Sequence, residues 1–388
     1  MPFIQNLNFY ICRITYLAEN CHLNIEKTAR EKESKICTIQ RNNILEHITI
    51  KDIAKALNLS TSTVSRALRG SHEINPETKR LVMEYAEKFN YHPNPIALSL
   101  KENKSRSIGV IVPEIDNPFF SQAINGIEDI AYNKGYQVVI FQSHESYERE
   151  VINTQHITSR RVDGLLISLS GQTTNVDHLK NLHDKGLPIV LFDRISDEID
   201  THKVISDNFE GSFTGTEHLI QTGRKRIAHI AASPHLSISK ERVKGYLAAL
   251  AKYNIPVDES LLKYCNYGLQ DIEFVIDQLF TNDNPPDAIF TASDRLALGC
   301  LSTLQKRGIK IPEEVALIGF TNLKVASLLA PSLSTIVQPA LDMGKRSAEL
   351  LFELIESTSK LPKKYQTFKL YTELIIRKSS DNKVLIDL

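Results

Sequence analysis

The chain has 388 residues, 42% of them apolar and 24% charged, with 46 basic and 46 acidic side chains. That length holds material for more than one core, and the lack of any long apolar run argues against a helical membrane span. The zero net charge hides an asymmetry: Ile48 to Arg106 carries ten basic and six acidic side chains, +4, so the rest is acidic, as suits a protein whose head alone meets a polyanion.

Residues 1–47 are mixed in charge, weakly periodic and hold three of the five cysteines. They read as a disordered extension or the product of an upstream start assignment, with an extra regulatory arm as the alternative; mass spectrometry of the native N-terminus separates these. The opening stretch is interrupted by Gln5, Asn6, Asn8 and Arg13 and does not read as a secretion signal. The cysteines (Cys12, Cys21, Cys37, Cys265, Cys300) are odd in number and form no CxxC pair. A reduced cytoplasmic protein is expected, with no disulfide framework and no zinc site.

The chain is organised around Ile48 to Gly70. Ile50, Ile53, Ala54 and Leu57 recur at helical spacing, with Lys51, Asp52 and Lys55 on the other side. Asn58-Leu59 breaks the pattern, and Ser60 can cap a second helix. There Val64, Ala67 and Leu68 share one face while Thr61, Ser62, Ser65, Arg66 and Arg69 share the opposite one. Taken alone, this is a helical hairpin with a solvated face, or a helix whose short, polar, basic side enters the DNA major groove. Asn75-Pro76-Glu77 opens a third helix, with Leu81, Tyr85, Ala86 and Phe89 expected to close a three-helix core. Pro93 to Lys101 reads as a linker.

From Ser107 onward short apolar strands alternate with helices. The strands begin at Ser107, Tyr136, Gly164, Pro188, Arg226, Asp287 and Val315. The helices include Phe119–Lys134, Glu210–Gln221, Lys240–Tyr253 and Asp294–Lys306. That grammar implies two parallel sheets in tandem, covered on both faces, with ligands beyond the carboxyl ends of the strands.

The run TIKDIAKALNLSTSTVSRAL, then NPETKR, then NYHPNPIALSL, closely resembles the head of the lactose/galactose repressor (LacI/GalR) family, and the resemblance continues to about Tyr371. It implies an α/β protein: a three-helix helix-turn-helix domain over 48–92, a hinge helix and linker over 93–106, and a core over 107–388 like a type I periplasmic binding protein. The two core lobes are expected at about 107–207 with 339–366, and 208–338 with 367–388. The partners implied are a pseudo-palindromic double-stranded operator, a second copy of the chain and a small effector in the cleft. The resemblance assigns base contacts to Thr61, Ser62 and Arg66. Ser65, Arg69 and the basic start of the third helix fall nearer phosphates, and the hinge set is Ala97, Leu100 and Lys101. Leu100 stands where relatives wedge a leucine into the minor groove. Leu98 stands where many carry Arg.

Several residues at strand ends are effector candidates. Asn117 can bond a hydroxyl, and Phe119 and Phe120 can stack on a ring, although at least one Phe is expected to be core. Asp193 and Arg194 form either a plain ion pair or a clamp on sugar hydroxyls. Arg242 matches the family's cleft arginine and Tyr267 its aromatic stacking position. Asp294 can bind hydroxyls or cap the helix that begins there, and Ser170 is a weaker candidate. Thr321 stands where relatives usually carry an Asp, so a known ligand preference does not transfer. The expected effector is a sugar or sugar derivative, with a purine-like ligand or a phosphoprotein corepressor as alternatives. Rival classes are a sugar-binding protein feeding a transporter and a sugar-processing enzyme. GxSxG, P-loop, HExxH and clustered metal ligands are lacking, so no cofactor or catalysis is expected. Thr372–Leu388 has no heptad pattern, which favours a dimer over a tetramer.

Overall fold

The computed structural model describes residues 48–91, 104–281, 283–357 and 364–381. The expectations for 1–47 and for the hinge residues Ala97, Leu100 and Lys101 lie outside the described residues.

The head is one unit of three helices: α1 (Ile50–Ala56), α2 (Thr61–Leu68) and α3 (Pro76–Lys88). Thr49 and Asp52 close a capping box at the start of α1. Ser60 accepts from the Thr63 N–H at the start of α2, and Asn75 accepts from the Glu77 N–H at α3. Ile53, Ala54, Val64, Ala67, Val82 and Ala86 form the buried core. The third helix departs from expectation. Val82, not Leu81, faces the core, and Leu81 and Phe89 are both 43% exposed. Three short helices enclose only a narrow stripe of α3, so the Leu81–Tyr85–Phe89 row runs along its flank, where Tyr85 and Phe89 pack ring to ring at 4.6 Å.

The core is the second unit, built of two six-stranded sheets. Its first half runs β1 (Ser107–Val112), α4 (Pro118–Asn133), β2 (Gln137–Gln142), α5 (Tyr147–Ser159), β3 (Leu165–Ile167), α6 (Asp177–Asp184), β4 (Ile189–Phe192) and β5 (His202–Ser206). Then follow α7 (Asn208–Gln221), β6 (Ile227–Ala231), α8 (Ser237–Lys252), β7 (Leu262–Tyr264), α9 (Leu269–Phe280), β8 (Ala288–Thr291), α10 (Asp294–Lys306), β9 (Ala316–Thr321) and β10 (Ser334–Val337). The chain closes with α11 (Ala340–Glu356), β11 (Thr367–Leu370) and β12 (Glu373–Ile375).

The first sheet has the order β11-β5-β4-β3-β1-β2 and the second β12-β10-β9-β8-β6-β7. All pairings are parallel except β10 with β12. Strands such as β4 and β8 are buried at every position, because helices cover both faces. The last lobe boundary is corrected: Thr367–Leu370 was expected in the second lobe but pairs with Lys203–Ser206 in the first. The chain therefore crosses between Leu370 and Glu373. In the first lobe α4 and α11 approach closely through Gly126 and Gly344. A Cβ at Gly344 would collide with the Ala123 carbonyl, and one at Gly126 with the Leu341 carbonyl, so only glycine fits. Among the described residues, no helix is long and apolar enough to cross a membrane.

Candidate functional site

Two surfaces carry the chemistry. On the head, Thr61, Ser62, Arg66 and Arg69 are exposed and Ser65 is half-buried. They share the side of α2 opposite the buried Val64 and Ala67. Arg66 Nη1 reaches Glu73 at 3.4 Å, with both side chains about half exposed. Such a contact is worth ~0–1 kcal/mol, so it leaves the guanidinium free to change partner. Arg69 folds back, its Nε donating to the Ser65 carbonyl at 3.0 Å. The start of α3 is less basic than its sequence suggests, because Arg80 bonds both Glu77 and Glu84 at 2.7 Å.

In the core, the carboxyl ends of β1, β2, β7, β8 and β9 and the segments that follow them line a cavity of about 290 Å³. Its wall brings together Asn117, Phe120, Tyr267 and Thr321 of the expected residues, with Glu114, Glu145, Ser293 and Arg295, which sequence reasoning missed. Asn117 caps α4, its Oδ1 accepting from the Phe119 N–H at 3.0 Å. Phe120, 1% exposed, lines the cavity, and Phe119 behind it meets Phe120 edge-on at 5.2 Å within the core. Arg295 lies 5.2 Å over the Tyr267 ring and bonds Glu114 across the lobes at 2.7 Å. Burial pushes the Tyr267 phenol up. Thr321 and Asn322 both have positive φ, 114° and 64°. For Thr321 that is a strained backbone at a strand end facing a cavity.

Behind this cavity lies a buried polar cluster between the lobes. Arg194 is 4% exposed; its Nη1 donates to Glu145 at 2.7 Å, and its guanidinium sits 5.6 Å from the Phe120 ring. Burial opposes the Arg194 charge, but Glu145, Tyr267 and Asp193 outweigh it and raise its pKa. Burial pushes the Asp193 carboxyl up, opposed by Arg194 and Arg242. Gln338 donates to Asp193 at 3.4 Å and to Ser206 at 3.2 Å. Arg242 donates to Asn208 at 2.9 Å and to the Ala292 carbonyl, and lies 3.8 Å over the Phe320 ring. Burial lowers its pKa to about 10. Arg194 thus bonds within the first lobe and Arg242 within the second, Asp193 feels the charge of both, and none of the three lines the 290 Å³ cavity.

Two expectations are corrected. Asp294 is fully buried, with its carboxylate taken by the Thr335 hydroxyl at 2.6 Å and the Leu323 N–H at 2.7 Å. The cap of α10 is Ser293, which accepts from Leu296 N–H, and Ser293 is also the residue on the cavity wall. A one-residue shift at a helix start turns the side chain by ~100°, and spacing does not resolve it. Ser170 is fully buried and lines a separate cavity, not this one; its backbone N–H donates to Glu150 at 2.7 Å and its hydroxyl pairs with Thr173 at 2.7 Å. Glu145 left no signal in the sequence beyond its position after β2.

Residues 49–94 match a family model described as bacterial regulatory proteins, lacI family. Residues 105–372 match one described as periplasmic binding proteins and sugar binding domain of LacI family. The HTH-type transcriptional repressor PurR of Vibrio parahaemolyticus is 31% identical over 329 residues, 85% of this chain and 97% of that one. A LacI family transcriptional regulator from Enterococcus faecium with bound ribose aligns at TM-score 0.63 and 30% identity, over 71% of this chain and 98% of that one. A regulator named CelR in complex with cellobiose aligns at TM-score 0.64 and 27% identity, over 86% of this chain and 99% of that one.

Proposed function

The chain belongs to the LacI family of bacterial regulators, a DNA-binding transcriptional repressor with a ligand-binding core, and on that premise we propose that its effector is a neutral, hydroxylated molecule of monosaccharide size. The observation that carries this reading is the composition of one wall. Two aromatic side chains, Phe120 and Tyr267, share the 290 Å³ cavity with Asn117, Ser293 and Thr321. Aromatic faces take the C–H side of a sugar ring while amide and hydroxyl groups take its O–H groups. The volume sits at the small end of ligand pockets, which span ~300–1,000 Å³. Glu114, Asp116 and Glu145 against the lone Arg295 on that wall disfavour a phosphorylated ligand there. The ribose and cellobiose complexes of the two structural relatives support the same class.

The mechanism is linkage. A ligand bonded to Asn117 in the first lobe and to Ser293 or Thr321 in the second biases the lobe angle, and with it operator affinity. Two copies entering half-sites with Thr61, Ser62 and Arg66 of α2 account for a pseudo-palindromic operator. Calorimetric titration of neutral monosaccharides, phosphorylated sugars and nucleobases tests the effector class. Binding of a neutral sugar, weakened at least tenfold by Asn117→Ala, is expected. Heat from nucleobases alone would replace the sugar by a purine-like ligand.

A further inference from the structure

A second cavity of about 860 Å³ opens between the lobes and shares no lining residue with the first. The ends of β3 and β4 and the first two turns of α8 form its walls. Helix α8 has 16 residues and starts without a side-chain cap: Leu236 stands at the N-cap, and Ser237 opens the helix on the cavity wall. Leucine has no acceptor for the free N–H groups of the first turn, so those donors and the positive end of the helix dipole face whatever fills the space.

A separate observation on the opposite wall agrees. Arg194 lines this cavity while 96% buried; its Nη1 bonds Glu145, and its Nε makes no hydrogen bond, with Asp193 Oδ2 at 4.0 Å. A buried guanidinium N–H that lacks a hydrogen bond costs free energy that an incoming acceptor recovers. The lysines complete the wall. Lys240 and Lys244 project from α8, and Lys244 pairs with Glu241 at 2.7 Å. The other two acids on the wall already hold lysines, Asp197 with Lys203 at 2.6 Å and Glu198 with Lys180 at 3.1 Å. Among the described residues Lys240 has no carboxylate partner.

We propose that this cavity is a second ligand site that binds a compact phosphate oxyanion, held by Lys240 and the start of α8 from the second lobe and by Arg194 from the first. Free phosphate and a phosphate monoester present the same group, and the volume accommodates either. Because the holding groups come from both lobes, an anion there biases the lobe angle separately from the ligand of the first cavity. The neutral effector and the anion then couple through one conformational equilibrium.

The test is calorimetric titration of the full chain with inorganic phosphate and with glycerol 3-phosphate, at ionic strength held constant with chloride. Saturable binding of either probe is expected, weakened about tenfold by Lys240→Met, as befits loss of one charge-assisted contact. Binding of the ester with little of the free ion marks a monoester site, and the converse a phosphate site; both support the proposal. Absence of saturable binding, or affinity unchanged in both Lys240→Met and Lys244→Met, overturns it. So does a loss seen only in Arg66→Ala, which would place the anion on the head. Lys240 is exposed and Lys244 is 65% exposed, so neither change threatens folding. The sugar titration reports on the other cavity, so the two readings fail independently.

Discussion

Glu114 of the first lobe and Arg295 of the second are joined by a 2.7 Å ion pair at the wall of the smaller cavity, and Arg295 is held in place by stacking on Tyr267. The pair spans the two bodies whose separation would admit a ligand. Its charges are 27% and 48% exposed, which limits its worth to ~0–1 kcal/mol.

Arg295→Gln should therefore leave global stability within about 1 kcal/mol of the parent while loosening the closed state. Ligand association and dissociation should both quicken, with dissociation changing more. The chain has no Trp and 13 Tyr, so stopped-flow tyrosine fluorescence is the natural readout. Rates equal to the parent's would show that the pair does not hold the lobes.

Arg66→Ala should weaken specific operator binding by ~1–3 kcal/mol and relax one base position. The head should remain folded, because Arg66 is exposed and its ion pair with Glu73 is long, 3.4 Å, and open to solvent. Equal loss on operator and random duplex in a gel-shift titration would reassign Arg66 to phosphate.

Arg242→Met should destabilise the core by about 1–3 kcal/mol in chemical denaturation, since the buried Asn208 and Ala292 oxygens lose their charged donor. Changing Asp193→Asn as well should recover part of that loss, because the buried carboxylate, then opposed by Arg194 alone, goes too.

His229 sets an acid limit on stability. The ring is fully buried, stacked between Tyr246 and Phe290, with Nδ1 bonded to the Phe290 carbonyl at 3.0 Å and Nε2 without a partner. Burial lowers its pKa from 6.5 to about 4. The unfolded chain takes up the proton first, so stability should fall as pH drops from about 6.5 to about 4 and change no further below that on this group's account. The loss amounts to roughly 3 kcal/mol. His229→Phe should flatten the slope in that window; an unchanged slope would assign the acid sensitivity to other groups.

Local patterns in the chain carried a great deal. The α2 polar face, the Ser60 cap and β1 at Ser107–Val112 all follow from periodicity and short-range bonding, which depend on neighbours within four residues. Asn117 and Phe120 were legible because they follow a strand, and parallel sheets gather ligands at such ends; Tyr267 and Thr321 were singled out by resemblance to the family.

Tertiary structure decided the rest. It turned the Asp294 carboxylate onto Thr335 and Leu323 and left Ser293 on the wall. It drew Thr367–Leu370 into the first sheet, brought Glu145 to Arg194 across 49 residues and set Leu81 outside the head core. Spacing along one helix or strand states which residues share a face. Which partner covers that face, and which charges burial leaves beside one another, depends on contacts between segments far apart in the chain, and no local pattern encodes them.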